Sequence, residues 1–244
     1  MSSVQPNLRL VVSELPATPA AHGVSAENPA DDWIAWQLAD SAFPTGGFAH
    51  SGGLEAAWQH REVRDAGELE HFIKAALLQT ARSVLPILLD VHGRPDRFSE
   101  CDDFCGAFIT NHVANRASRL QGRALLASAR NAFGNRWGEI APGPEGGHLA
   151  PVFGVVTRRL DIPRGRAARL FFFWHLRGWL GSAVRLGMIG PGESQSLQFK
   201  LRIFVEETAQ SAESAPVSIP HQTAPVLEIW QTAQDRMYSR LFQS

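Results

Sequence analysis

Trp36-Gln37-Leu38-Ala39-Asp40-Ser41-Ala42-Phe43-Pro44-Thr45-Gly46-Gly47-Phe48-Ala49-His50-Ser51-Gly52-Gly53-Leu54-Glu55 is the stretch from which the rest of the chain is best read. An apolar helical pattern reaches Leu38, and then Pro44 and two glycine pairs arrive in quick succession. Pro44 fixes φ and removes a backbone donor, so it ends the first helix or opens a turn. Gly46-Gly47 and Gly52-Gly53 permit positive φ or a close backbone approach. Phe48, between the pairs, is the expected apolar plug of the corner, and Leu54 to Trp58 restarts a helical pattern. Local physics therefore predicts a helix–turn–helix corner. Two catalytic readings meet obstacles. Ser51 sits near a G-x-S-x-G-like context with His50 beside it, but a nucleophile elbow needs a preceding strand, and nothing strand-like is there. A phosphate-cradling loop needs a lysine after its glycines, and none follows.

Outward from the corner, helical spacing dominates. Asp31-Asp32 are expected to cap a first helix carrying Trp33 and Trp36 and stopping near Ser41. Leu69, Phe72, Ile73, Ala76 and Leu77 form the apolar stripe of an amphipathic helix over 68–89, which Pro86 kinks or divides. Ser99, with acids at Asp102 and Asp103, signals another start, followed by a long pattern through Cys101, Cys105, Val113 and Leu120. On it Asn111, Asn115 and Ser118 form one polar line and Arg116, Arg119 and Arg123 a second, facing solvent or a partner, solvent being the commoner outcome. Residues 141–150 read as a loop, and 152–160 as a short helix. Asp161 and Pro163 open a helix apolar on nearly all sides, containing Leu170-Phe171-Phe172-Phe173-Trp174. Gly178 and Gly181 within it cost about 1 kcal/mol each relative to Ala, which close backbone packing is expected to offset. A further helix covers about 194–208. Residues 214–225 read as an extended Pro-containing linker to a C-terminal helix and tail over 226–244.

The expected architecture is all-α: a single-domain bundle of about ten helices over 31–213, preceded by a mobile N-terminal tail over 1–30. At 244 residues such a chain buries roughly 70–75% of its unfolded surface and needs no covalent staples. A net charge of -1 and a pI near 6.8 lack the basic footprint of a nucleic-acid binder. The longest apolar run, 170–189, is interrupted by His175, Arg177 and Arg185, and a charge at a bilayer centre costs at least about 2.5–3.5 kcal/mol. It reads as a core helix rather than a membrane span. The two cysteines, Cys101 and Cys105, are spaced for one helix face rather than a disulfide framework, pointing to a reducing, cytoplasmic compartment.

Five ordered blocks carry a resemblance. Asp40 to Glu55 resembles the N-terminal hallmark of the UreF family of urease accessory proteins. Asn111 to Arg123 resembles its middle helix, His148 to Gly154 its H-x-P-V-x-x-G segment, and Ser182 to Leu186 its S-A-V-R-L helix end. Tyr238-Ser239-Arg240-Leu241-Phe242 matches its Y-S-R-L-F tail, with Gln243 where the family carries a basic residue. The resemblance implies an all-α, usually dimeric, non-enzymatic protein without a resident cofactor. It implies binding to UreD (UreH in some organisms), recruitment of the GTPase UreG, and nickel insertion into apo-urease. Tyr238, Ser239, Arg240, Leu241 and Phe242 become candidate UreD contacts. Pro44, Gly46, Gly47, Phe48, His50, Ser51, Gly53 and Glu55 become a dimer or GTPase face, and Asn115, Arg116 and Arg119 a further interface.

Two other classes stay open on the residues alone. Cys101, Cys105 and His112 on related faces of one helix are a soft ligand set suited to zinc or nickel, transiently bound or resident, although buried structural cysteine is the commoner outcome. Arg116, Arg119 or Arg240 could serve as an arginine finger for a partner GTPase.

Overall fold

The computed structural model describes residues 29–134, 136–137, 140, 147–214 and 220–244. Among them are ten α-helices and no strand: α1 (Pro29–Ala39), α2 (Leu54–Gln59), α3 (Ala66–Arg82), α4 (Leu85–Gly93), α5 (Phe98–Phe108), α6 (His112–Phe133), α7 (Leu149–Arg159), α8 (Arg164–Arg185), α9 (Pro191–Ser214) and α10 (Pro225–Gln234). The all-α bundle expected from periodicity is the observed fold. Most of the N-terminal segment, the larger part of the 141–150 loop and the first part of the linker lie outside the described residues.

The apolar helix predicted around Leu170 is the axis of the bundle. α8 packs along α9 and also touches α1, α2, α3, α4 and α7. Phe171 and Trp174 meet Phe153 of α7 edge-on, with ring centroids 5.1 and 4.9 Å apart. The Trp174 indole N–H donates to the Leu38 carbonyl at 2.8 Å, closing the exposed end of α1 onto α8. One hydrophobic core runs from Leu38 to Leu227. The 66–93 segment is long enough to cross a membrane and contains an 18-residue window with a mean hydropathy of 1.4. It is instead two helices, and their apolar faces are buried in that core. Pro86 divides them, standing in the first turn of α4, where a missing N–H costs nothing.

Several local expectations are corrected. Asp31 and Asp32 lie inside the first turn of α1, which starts at Pro29. The long pattern from Ser99 to Leu120 is two helices, because Asn111 is a cap and not a rung of a polar line. Its side-chain oxygen accepts from the Val113 and Ala114 N–H groups at 3.0 and 3.2 Å, starting α6 afresh. Ser99 lies within the first turn of α5 rather than before it. α7 begins at Leu149 and α9 at Pro191, so the loop and connector before them are shorter than composition suggests.

Within the bundle, close backbone approach occurs at Gly154 and Gly122 rather than at the Gly178 and Gly181 expected in α8. A Cβ on Gly154 would lie 2.4 Å from the Leu88 carbonyl oxygen, and one on Gly122 would lie 2.1 Å from that of Gly147. These contacts bring α7 onto α4 and the 147–149 backbone onto α6. At Gly178 and Gly181 of α8, by contrast, an added Cβ would meet nothing within 4 Å. Among the described residues no packing offsets their cost.

Candidate interaction site

The corner forms as a helix–turn–helix, but its plug is Phe43 rather than Phe48. Phe43 is buried and stacks on Phe133, whereas Phe48 is 77% exposed and its ring lies under the Arg185 guanidinium. The chain turns at Gly46 and again at Gly52-Gly53, all three at positive φ. At Gly53 the backbone of Gln231 in α10 comes within 3.0 Å of where a Cβ would stand. That glycine therefore both reverses the chain and admits the C-terminal helix. The Pro44 carbonyl accepts from the Ser128 hydroxyl at 2.7 Å, tying the outer turn to α6.

The C-terminal tail lies in this corner. Glu55, 1% exposed at the start of α2, accepts from the Leu241 N–H at 2.5 Å and the Phe242 N–H at 3.1 Å. The Gln234 side-chain amide donates to the same carboxylate at 2.5 Å. Beyond it, the Gln243 N–H donates to the Ala49 carbonyl at 2.8 Å, and the Ser51 N–H to the Ser244 carbonyl at 2.5 Å. Phe242 is buried, with Arg185 over its ring at 4.0 Å, so one guanidinium is shared between the corner's phenylalanine and the tail's. Tyr238 and Leu241 point outward. The described end of the linker is held as well: the Thr223 and Ala224 N–H groups donate to the side-chain oxygen of Gln79 in α3.

The line of Asn111, Asn115 and Ser118 turns inward, whereas Arg116 and Arg123 of the second line are exposed, as expected of a solvated face. Asn111 donates to the Glu228 carbonyl and the Thr232 hydroxyl of α10, both at 2.8 Å. Asn115 donates to the Gly106 and Ile109 carbonyls at the end of α5, and Arg119 donates to Asn115. Ser118 meets His148 Nδ1 at 3.1 Å, while the His148 N–H donates to Asp102 at 2.6 Å, joining α5, α6 and α7. Burial of that imidazole lowers its pKa to about 4. Arg116 and Arg240 both pair with Asp235 just after α10, and His112 approaches the same carboxylate at 3.3 Å. Those two arginines hold Asp235 below the usual carboxylate range.

The catalytic and metal readings do not assemble in this arrangement. Ser51 is fully buried with its hydroxyl donating to the Ser244 carbonyl, and His50 faces Ser244 rather than Ser51. Cys101 and Cys105 lie on α5, whereas His112 opens α6 at the surface beside Asp235, so the three do not share a helix. Burial pushes the Cys101 thiol up to about 11 and Cys105 higher still, away from the thiolate form that metals take. Among the described residues no group of three or more His, Cys, Asp or Glu side chains is placed to hold a metal ion.

Sequence reading missed three participants. Gln234, the last residue of amphipathic α10, and Asp235, its cap, look like solvated polar residues. Asn111 reads as a rung of a polar line. Only the Asn-before-helix pattern gave a usable signal, and it was the one available for Asn111.

The fold and this site define an all-α bundle that seats its own C-terminus in a glycine-rich corner and leaves apolar side chains facing outward beside it. By sequence the chain belongs to the UreF family, whose sequence model matches residues 63–202. It is 34% identical to urease accessory protein F of Oryza sativa subsp. indica over 219 residues, covering 86% of this chain and 84% of that protein. The Arabidopsis thaliana protein of the same name is 34% identical over 221 residues, covering 87% and 92%. Urease accessory protein UreF of Mycobacterium tuberculosis H37Rv is 30% identical over 208 residues, covering 85% and 96%.

Proposed function

We propose that this chain is a non-catalytic accessory protein of urease maturation, working in the cytoplasm, whose C-terminal segment docks the UreD (UreH) partner. In this reading the pair recruits the GTPase UreG and delivers nickel to apo-urease, with a second copy of the chain completing the assembly. Nickel is cargo here rather than a resident cofactor.

The observation that carries the reading is the division of labour along the C-terminal segment. Phe242 and the backbone of 241–244 hold the tail to the corner, while Tyr238 and Leu241, with Val226 and Ile229 on α10, stay exposed. Exposed aromatic and aliphatic side chains on a pinned segment are interface anchors, since little ordering entropy remains to be lost on binding. The basic pair Arg116 and Arg240 flanks them, already organised by Asp235.

The test is co-expression with tagged UreD and UreG from the same organism. Full-length chain is expected to give a ternary complex, and a chain ending before Met237 to give none. Tyr238→Asp with Leu241→Asp, both at exposed positions, is expected to lose UreD while keeping the helical circular-dichroism spectrum. Retention of UreD by the truncated chain or by the folded double variant overturns the assignment of the docking surface.

A further inference from the structure

A cavity of about 550 Å³ opens between the corner, the middle of α8 and the C-terminal segment. Phe43, Phe171, Trp174 and Trp179 are among its wall residues, and Ser244 at the end of the tail forms part of one side. Its size and aromatic lining are those of small-molecule sites, which run from roughly 300 to 1,000 Å³.

Two further features point to an occupant. Gly178 and Gly181 stand in the lining of a 22-residue helix, and a Cβ at either meets nothing within 4 Å. Neither is among the positive-φ glycines. Backbone conformation and internal packing therefore both leave glycine unexplained there, although it weakens the helix relative to alanine. What the two glycines do is keep that side of the space open.

The second feature is His175 in the same wall. Its Nδ1 lies 2.9 Å from the Phe171 carbonyl oxygen, which can only accept, so Nδ1 carries the proton and Nε2 is left as a lone pair. Burial lowers the pKa of this imidazole, keeping it neutral. Of the charged side chains in the lining, Arg177 is bonded to the Ala39 carbonyl and Arg185 lies over two phenylalanine rings. Glu228 completes that set. A carboxylate has no proton to give to the His175 lone pair and would set its own lone pairs against it.

We propose that this cavity binds an uncharged, mainly aromatic small molecule that donates a hydrogen bond to Nε2 of His175. Because Ser244 belongs to the wall, the occupant also favours the seated tail, as any ligand favours the state that completes its site. The relevance of that coupling to partner docking rests on the function proposed above; the binding itself does not.

The experiment is isothermal titration of the full-length protein with 2-naphthol as probe, alongside 2-methoxynaphthalene and 2-naphthoate. One-to-one binding of 2-naphthol is expected with Kd on the order of 100 µM. The methoxy analogue, which has no donor, and the anionic naphthoate are each expected to bind about tenfold more weakly. Gly178→Leu and Gly181→Leu place side chains in the open space, so they are expected to abolish binding while Tm stays at or above the wild-type value. Removal of 241–244 is expected to weaken binding about tenfold. The proposal is overturned if 2-naphthol gives no heat of binding at millimolar concentration, or if both leucine variants bind it as the wild type does. Equal affinity for 2-naphthol and its methoxy analogue removes the role of His175. Unchanged affinity in the truncated chain removes the coupling to the tail. Because this assay contains no partner protein, it can succeed or fail independently of the UreD co-expression result.

Discussion

Glu55 is the residue on which tail seating most depends. Its buried carboxylate accepts from two tail N–H groups and the Gln234 amide. Hydrogen bonds to a charged group contribute about 1.5–3 kcal/mol each, and those sharing one acceptor do not add. Glu55→Ala should thus weaken the seated state by about 3 kcal/mol, which corresponds to roughly 150-fold in its equilibrium constant. Glu55→Gln keeps the shape but loses the charge and aims an NH2 at groups that are themselves donors. It should cost at least about 1.5 kcal/mol, or more than tenfold. Burial of Phe242 is untouched in both variants, so the tail is loosened rather than lost. Amide hydrogen exchange reads this directly: protection at Leu241 and Phe242 should fall by about two orders of magnitude in Glu55→Ala. Amides of α3 and α8 should keep theirs, which distinguishes local release from unfolding. Protection at 241–242 within threefold of wild type would refute the view that this carboxylate holds the tail.

Other outcomes follow from the same geometry. Burial and the nearby Arg116 charge lower the His50 pKa to about 4, and its Nδ1 lies 2.6 Å from the Ser244 hydroxyl. A depressed folded-state value means that its contribution is intact above about pH 6.5 and is lost as pH falls toward 4. Tail protection measured from pH 7.5 to 4.5 should therefore decline on the acid side, and a His50→Gln variant should flatten the decline. Gly154→Ala and Gly122→Ala each force a methyl into a backbone carbonyl, at 2.4 and 2.1 Å. Each should cost about 1–3 kcal/mol in urea denaturation, more than alanine at the open Gly178, which should stabilise. Cys101 and Cys105 are buried with raised thiol pKa values. At pH 8 neither should react with a disulfide reagent until the protein is denatured, and fast labelling of the native chain would contradict their burial.

Much of the architecture could be read from spacing. The stripe of Leu69, Phe72, Ile73, Ala76 and Leu77 and the nearly uniform apolar character of 170–180 report burial, because helical period and water exclusion are properties of short segments. Pro86 could be read as a division for the same reason, since a proline acts on its own turn. The ordered motif blocks were enough to place the chain in its family. At the corner, positive φ at Gly46, Gly52 and Gly53 was legible because no other residue adopts it as readily.

Where a choice depended on partners far along the chain, local pattern was silent. Phe43 and Phe48 are equally apolar, and only the position of Phe133 decides that the first is buried and the second lies open under Arg185. Asn111 fits a polar stripe and a helix cap alike, and α10 selects the cap by accepting its amide. Whether the tail rests on its own molecule is settled by Glu55, distant in sequence but adjacent in space. Gly178 and Gly181 look like packing glycines until the surrounding helices leave them facing a cavity. Periodicity and backbone stereochemistry are local and so are written residue by residue; which surfaces meet, and which spaces stay open, exists only once all the helices are packed together.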